Sequence, residues 1–130
     1  MSLMRIRLEL ARTDEAPSGD PQHGYEFVAP LSREGHIDAT QWHKYKDKCL
    51  VQYFRGGETV QTGRLARTGR GWHFEYGKRA HEDDEPFFKL DQHLLQPGLY
   101  VSLVEHDGVR RPFKIVSVLP EGINPSNRRA

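Results

Sequence analysis

The residues with the clearest chemical potential are basic side chains placed around an aromatic strand. Trp72, Phe74 and Tyr76 alternate with His73 and Glu75, so the three rings share one face. Basic groups beside exposed rings are what single-strand binders use, because charge follows the phosphates and rings stack on bases. The residues predicted to bind nucleic acid or another ligand are Arg64, Arg67, Trp72, Tyr76, Lys78, Arg110 and Arg111.

The opposite interpretation is that the aromatic face belongs to the core. A chain of this size needs large inward side chains, and strict alternation favours burial of Trp72, Phe74 and Tyr76. The two hypotheses differ in whether any of these rings is exposed on the basic face.

Metal chemistry has little support in the sequence. The seven histidines include no H-x-x-x-H pair, and there is no C-x-x-C motif. The acidic stretch 81–85 lacks the regularly spaced oxygens and glycine of a calcium loop, so a solvated loop is the simpler prediction. A metal-dependent hydrolase is therefore the weakest hypothesis, and no cofactor is predicted.

Nucleophilic and acid–base catalysis also lack a signature. Cys49 ends a predicted helix, whereas a thiolate is favoured at a helix N-terminus, so a buried hydrophobic role is predicted. The serines show no G-x-S-x-G motif. Glu105 and Asp107 flank an Asp-Gly turn, and we expect nothing to bury them.

Composition indicates one domain. The chain has 130 residues, of which 36% are hydrophobic and 28% charged. With Cys49 as the single cysteine and no apolar run of about 18 residues, a soluble cytoplasmic protein without membrane contact is predicted. Met4 resembles a natural start, so residues 1–3 are predicted not to belong to the natural domain. The oligomeric state is not predicted.

Charge is unevenly distributed along the chain. The net charge is +1, but residues 40–80 hold nine basic and three acidic side chains, whereas residues 81–107 hold one and seven. Loops that neutralise one another would explain this pattern, and so would a basic face that binds an anion.

Short strands and one helix must position these groups. The hydrophobic pattern predicts strands near 4–12, 25–31, 50–55, 58–67, 72–76, 99–105 and 111–119, and a short strand followed by a turn within residues 87–95. Asp38 followed by Gln41 predicts a capped helix over 37–49, and Gly56-Gly57 predicts a type I′ turn.

These elements predict a mainly β (α+β) fold. We expect a small antiparallel β-barrel or barrel-like sandwich of about seven strands with one α-helix. The domain spans residues 4–119, and residues 120–130 form a disordered tail.

Several stretches carry a resemblance, namely residues 4–12, 23–31, 35–39, 82–85, 97–102 and 105–108. On these residues the chain resembles a family of small uncharacterised bacterial proteins. The resemblance covers nearly all of residues 4–119. It implies a stand-alone bacterial domain, and it implies no activity and no site residue.

The first functional hypothesis is therefore a non-enzymatic binding or accessory module for a protein or small ligand. The alternative is a small nucleic-acid-binding barrel that uses the basic and aromatic residues. An enzyme is disfavoured because every catalytic signature is absent.

Overall fold

The computed structural model describes residues 2–68, 71–76, 85–88, 94–105 and 108–121. Within these ranges there are eight strands, one α-helix and one 3₁₀ turn. The strands are β1 Ser2–Leu10, β2 Asp20–Leu31, β3 Leu50–Arg55, β4 Glu58–Thr68, β5 Gly71–Tyr76, β6 Glu85–Phe88, β7 Tyr100–Val104 and β8 Arg110–Pro120; α1 spans Ala39–Tyr45, and the 3₁₀ turn spans Lys46–Lys48.

The sheet closes on itself. Each strand pairs antiparallel with the next, and β8 pairs with β1 over the register Met4–Pro120 to Leu10–Phe113. The predicted fold class is confirmed, and of the two forms considered the barrel is the one observed. The prediction of about seven short strands agrees with the eight described, of which β6 has only four residues.

Alternation along the strands fills the barrel. In β2 the side chains of Tyr25 and Phe27 point inward, and in β8 those of Phe113 and Ile115 do the same. Burying one such side chain contributes roughly 1.5–3 kcal/mol. The fully buried large side chains are Tyr25, Phe27, Phe74, Phe113, Ile6, Leu8, Leu65, Leu95, Leu103 and Ile115.

The two chain ends extend further into the sheet than the sequence indicates. β1 begins at Ser2, before Met4, and Leu3 pairs with Pro30 of β2. β8 continues through Pro120, and the Glu121 amide donates to the Leu3 carbonyl oxygen at 2.8 Å. The remainder of the predicted tail, 122–130, lies outside the described residues.

The helix begins where the sequence predicts. The Gln41 amide donates to the Asp38 carboxylate at 3.1 Å, which confirms Asp38 as the N-cap. The α-helix ends at Tyr45, earlier than predicted, because residues 46–48 tighten into a 3₁₀ turn. Ala39 and Trp42 pack against the core, while no helical residue is fully buried.

Glycines set two features of the sheet. Gly56 and Gly57 have φ of 63° and 82°, as the predicted type I′ turn between β3 and β4 requires. Gly63 in β4 lies so close to β5 that a Cβ there would overlap the carbonyl oxygen of Glu75. The strand pair can approach this closely only with glycine at that position.

The barrel has two different ends. At the end we call the helix end, α1 and the 3₁₀ turn connect β2 to β3. At the opposite end, called the hairpin end, Gly56-Gly57 joins β3 to β4, and residues 105–109 connect β7 to β8. In the described part of the chain, no helix is both long and apolar enough to cross a membrane.

Replacement of the cap residue tests how the helix is held. We expect Asp38→Ala to lower the free energy of unfolding by about 1 kcal/mol, because the Gln41 amide loses its acceptor. Urea unfolding followed by circular dichroism measures the change. Thr40→Ala is the control, since Thr40 is an exposed position in the same helix. Equal stability of the two variants would contradict the cap assignment.

Candidate functional site

The aromatic face predicted as a stacking platform points into the barrel. Trp72, Phe74 and Tyr76 are 3%, 0% and 2% exposed. Phe74 contacts Tyr25 and Phe27 at ring-centroid distances of 5.3 and 5.1 Å. These rings are not available to stack on bases, so the nucleic-acid hypothesis retains only its basic groups.

Those basic groups do not share one face. Arg64 and Arg67 lie on the last part of β4, at the helix end. Arg110 and Arg111 begin β8, at the hairpin end. Lys78 lies outside the described residues, as do the histidine and three of the four carboxylates of the acidic stretch 81–85. The structure therefore divides the predicted site between the two ends of the barrel.

Arg111 belongs to a buried polar cluster at the hairpin end. Its guanidinium donates to Glu105 Oε1 at 2.9 Å and to Glu15 at 3.2 Å. The other oxygen of Glu105 accepts from the Tyr25 hydroxyl at 2.7 Å and lies 3.0 Å from His23 Nε2. The cluster thus joins β2, the β7–β8 connection, β8 and the loop after β1.

His23 and Glu105 of this cluster are buried, so its hydrogen bonds and ion pairs matter for the stability of the fold. Glu105 is 7% exposed and His23 is 4% exposed. The sequence-based expectation that nothing buries Glu105 is therefore wrong. Glu105 is buried because it follows the alternation by which Val101 and Leu103 point inward, one step past the end of β7. A buried carboxylate needs such partners, because an unpaired one costs several kcal/mol.

The partners also control the protonation of Glu105. Burial alone would raise the pKa of this carboxyl, but hydrogen bonds with His23 and Tyr25, the charge of His23 and a hydrogen bond from Arg111 outweigh burial. The pKa of Glu105 is therefore held below its ordinary value. Glu105 remains charged and accepts hydrogen bonds across the neutral pH range.

The cluster has the geometry of a structural clamp. The His23 ring lies edge-on between Tyr53 and Phe113, at centroid distances of 5.9 and 5.8 Å. Because the His23 side chain is enclosed in this way, it cannot act as a general base on a substrate that arrives from solvent. The Glu105 carboxylate beside it already accepts hydrogen bonds from three donors. Strand periodicity was the available signal, since it places His23 in phase with Tyr25 and Phe27 on the inward face of β2.

Cys49 is equally unsuited to catalysis. Its side chain is fully buried, and burial raises the pKa of the thiol to about 11. The predicted role as a small buried hydrophobe is confirmed. In the ranges that the structure describes, no group of three or more His, Cys, Asp or Glu side chains is arranged to hold a metal ion.

The helix end carries a different arrangement, a ladder of cations and indole rings. Trp42 and Trp72 meet edge to face, with 5.3 Å between the ring centroids. The Lys46 ammonium lies 5.9 Å from the centre of the Trp42 ring, and the Arg67 guanidinium lies 4.9 Å from the centre of the Trp72 ring. The Trp42 indole donates to the Leu65 carbonyl at 3.0 Å. Each cation–π contact contributes about 0.5–1 kcal/mol at an exposed site. This ladder fixes α1 against β4 and β5.

Two of the ladder's members, Lys46 and Arg67, and three further exposed cations of α1, the 3₁₀ turn and the last part of β4 lie at the helix end, and we call these five the basic surface. None of its members forms an ion pair within the described residues, whereas Arg5, Arg7 and Arg111 elsewhere are all paired with carboxylates. The basic surface consists of Lys44, Lys46, Lys48, Arg64 and Arg67.

Two carboxylates lie near the basic surface without neutralising it. Asp47 lies in the 3₁₀ turn between two of the lysines, and Glu75 is the cross-strand partner of Arg64. Neither forms a salt bridge in the part of the chain that the structure describes. The five cations therefore outnumber these two carboxylates.

Comparison with known proteins adds no family to this geometry. No family model, curated protein or solved structure matches the chain. The resemblance to a bacterial family stays a prediction, and function must be argued from the two ends of the barrel.

The clamp predicts a specific acid sensitivity. Glu105→Gln should lower the free energy of unfolding by about 3 kcal/mol at pH 7, since Arg111 and His23 lose a buried charged acceptor. Because the folded pKa is depressed, the carboxylate stabilises the fold fully above about pH 4.3 and loses this effect as the pH falls through its folded pKa.

Urea unfolding at pH 7 and near pH 3 measures both effects. The wild-type chain should lose more stability on acidification than Glu105→Gln does. Glu58→Gln is the control, because Glu58 is exposed at the β3–β4 turn. The clamp assignment fails if the Glu105 and Glu58 variants have the same stability and the same acid dependence.

Proposed function

We propose that this protein is a non-enzymatic binding module that holds an anionic partner macromolecule on its basic surface. The observation that carries the proposal is the set of five exposed cations at the helix end, none of which forms an ion pair with another described residue. Cations of one sign gathered on a surface repel one another, and an anionic partner relieves that repulsion while it steers association.

The other titratable groups support a binding role over catalysis. Glu105 and His23 are engaged in the clamp, and Cys49 is buried with a raised pKa. These observations support the first functional hypothesis from the sequence, a binding or accessory module. The cytoplasmic setting and the bacterial origin predicted from the sequence are kept as parts of the same proposal.

Nucleic acid is the second candidate partner. Arg64 and Arg67 belong to the basic surface, and phosphates are natural partners for unpaired cations. However, the predicted stacking residues Trp72 and Tyr76 are buried, and Arg110 and Arg111 lie at the opposite end. Such a complex would depend on phosphate contacts alone, without base stacking.

Charge reversal tests the proposal. The wild-type chain should be retained on a heparin column at low ionic strength and released as salt rises. The double variant Lys44→Glu with Lys48→Glu should elute at clearly lower salt, because it reverses two of five cations.

The matched control is Arg12→Glu with Lys114→Glu. It makes the same change in net charge at two exposed cations that have no ion pair within the described ranges and lie on the far side of the barrel, near β1 and β8. This control should elute close to the wild-type position. Absence of wild-type retention at low salt, or an equal shift in both double variants, overturns the proposal.

A further inference from the structure

The basic surface has an apolar centre that its charges do not explain. Tyr45 is 37% exposed and Leu50 is 47% exposed. Tyr45 stands between Lys44 and Lys46 in the sequence, and Leu50 lies opposite Arg64 in the β3–β4 register. Only the 3₁₀ turn and Cys49 separate the two apolar residues along the chain. Each of these two exposed apolar residues therefore has cations of the basic surface as its neighbours, Tyr45 in the sequence and Leu50 across the strands.

This composition resembles the interface of a protein complex. Such interfaces combine an apolar centre, in which tyrosine is enriched, with a polar and charged rim. Leu50 offers nothing to a phosphate backbone, which is polar throughout. A neighbouring apolar side chain, in contrast, would bury the exposed part of Leu50 and gain roughly 25 cal/mol for each Å² removed from water.

The indole rings near the basic surface also favour a protein over a nucleic acid as the partner. Arg67 covers the Trp72 ring, which is 3% exposed, and Lys46 lies over Trp42. Both indoles are already in contact with cations of the chain itself, so a base would have to displace these cations before it could stack. Tyr45 remains as an exposed ring, and one ring provides a poor platform for successive bases.

The surface is also held rigid before any partner arrives. The Trp42 indole is bonded to the Leu65 carbonyl, and the Leu65 amide donates to the Cys49 carbonyl at 2.8 Å. These bonds tie α1 and the start of β3 to β4. A preorganised surface loses little conformational entropy on binding, which favours recognition of a short segment.

We propose that the occupant of the basic surface is a segment of a partner protein in which one apolar side chain is flanked by Asp and Glu residues. The carboxylates pair with the five cations, and the apolar side chain packs on Leu50 and Tyr45. This inference rests on the proposed function and goes further, since it names the class of partner and the anchor.

Three probes of equal negative charge test the inference. The first is a short peptide of alternating Glu and Gly residues with one central Phe, and the second carries Ser in place of that Phe. The third is a single-stranded oligothymidylate with the same number of charges. Each carries a fluorescent label, and anisotropy titration at low salt gives the dissociation constants for the full chain.

The Phe peptide should bind about tenfold more tightly than the Ser peptide, an increment that burial of part of one aromatic side chain can supply. In the Leu50→Ser variant this preference should disappear, while binding of the Ser peptide is unchanged. Val60→Ser is the matched control, because Val60 is a more exposed apolar residue, 57%, on the first part of β4. It should keep the tenfold preference.

Opposite results identify which statement fails. Equal binding of the two peptides, or tighter binding of the oligothymidylate than of the Phe peptide, overturns the acidic–apolar segment while heparin retention still supports a binding role for the cations. If the wild-type chain binds no probe and is not retained on heparin, both proposals are overturned. A Tyr45→Ser variant repeats the test at the second apolar residue, so that the result does not depend on one substitution.

Discussion

Closure of the barrel between β1 and β8 is the constraint on which the rest of this structure depends. Pairing of residues 4–10 with 113–120 joins the last strand to the first, so that each of the eight described strands has a neighbour on both sides and fewer backbone groups are left unpaired to promote aggregation. Closure also means that every strand has an inner and an outer face. The inner face accepts only side chains that pack, and the ends must be covered by something other than sheet.

The two ends meet this requirement with different chemistry. At the hairpin end, His23, Tyr25, Glu105 and Arg111 satisfy one another where the interior reaches the surface. At the helix end, α1 covers the interior and is held by Trp42 against Trp72. At the hairpin end the charged groups of the clamp are paired with one another, whereas at the helix end the lysines of α1 and of the 3₁₀ turn lie in solvent. The two ends therefore close the same barrel with different outcomes for their charged groups, which are paired in the clamp and exposed in the basic surface.

Features that depend on neighbours in the sequence could be predicted. The Asp38 cap, the positive φ of Gly56 and Gly57, and the inward phase of Tyr25 and Phe27 follow from local geometry, and the barrel class follows from several such patterns taken together. Burial of Glu105 depends on Arg111, His23 and Tyr25, of which the last two lie some eighty positions away along the chain. Local alternation indicates that His23 and Glu105 point inward, but it does not indicate that they meet each other, and the clamp was therefore missed.

The candidate site also depends on which distant residues the fold brings together, and the sequence does not show this. The sequence grouped Arg64, Arg67, Arg110 and Arg111 because all are basic, yet the barrel separates them by placing the ends of β4 and the start of β8 at opposite ends. Conversely, Lys46 and Arg67 come from different elements and are brought together by Trp42 and Trp72. Which charges act together is a property of strand order and packing, so composition can indicate an anionic partner without locating its site.

A nearly neutral chain with a local excess of cations suits reversible binding. The net charge of +1 gives little general attraction to polyanions. At physiological salt, screening limits the range of electrostatic interactions to a Debye length of about 8 Å. Charge alone then supplies orientation and speed of association more than lasting affinity. Lasting affinity must come from contact area that excludes water, and at the helix end that area is offered by Leu50 and Tyr45. In the proposed complex, Leu50 and Tyr45 would therefore anchor the partner, and the neighbouring cations would select it.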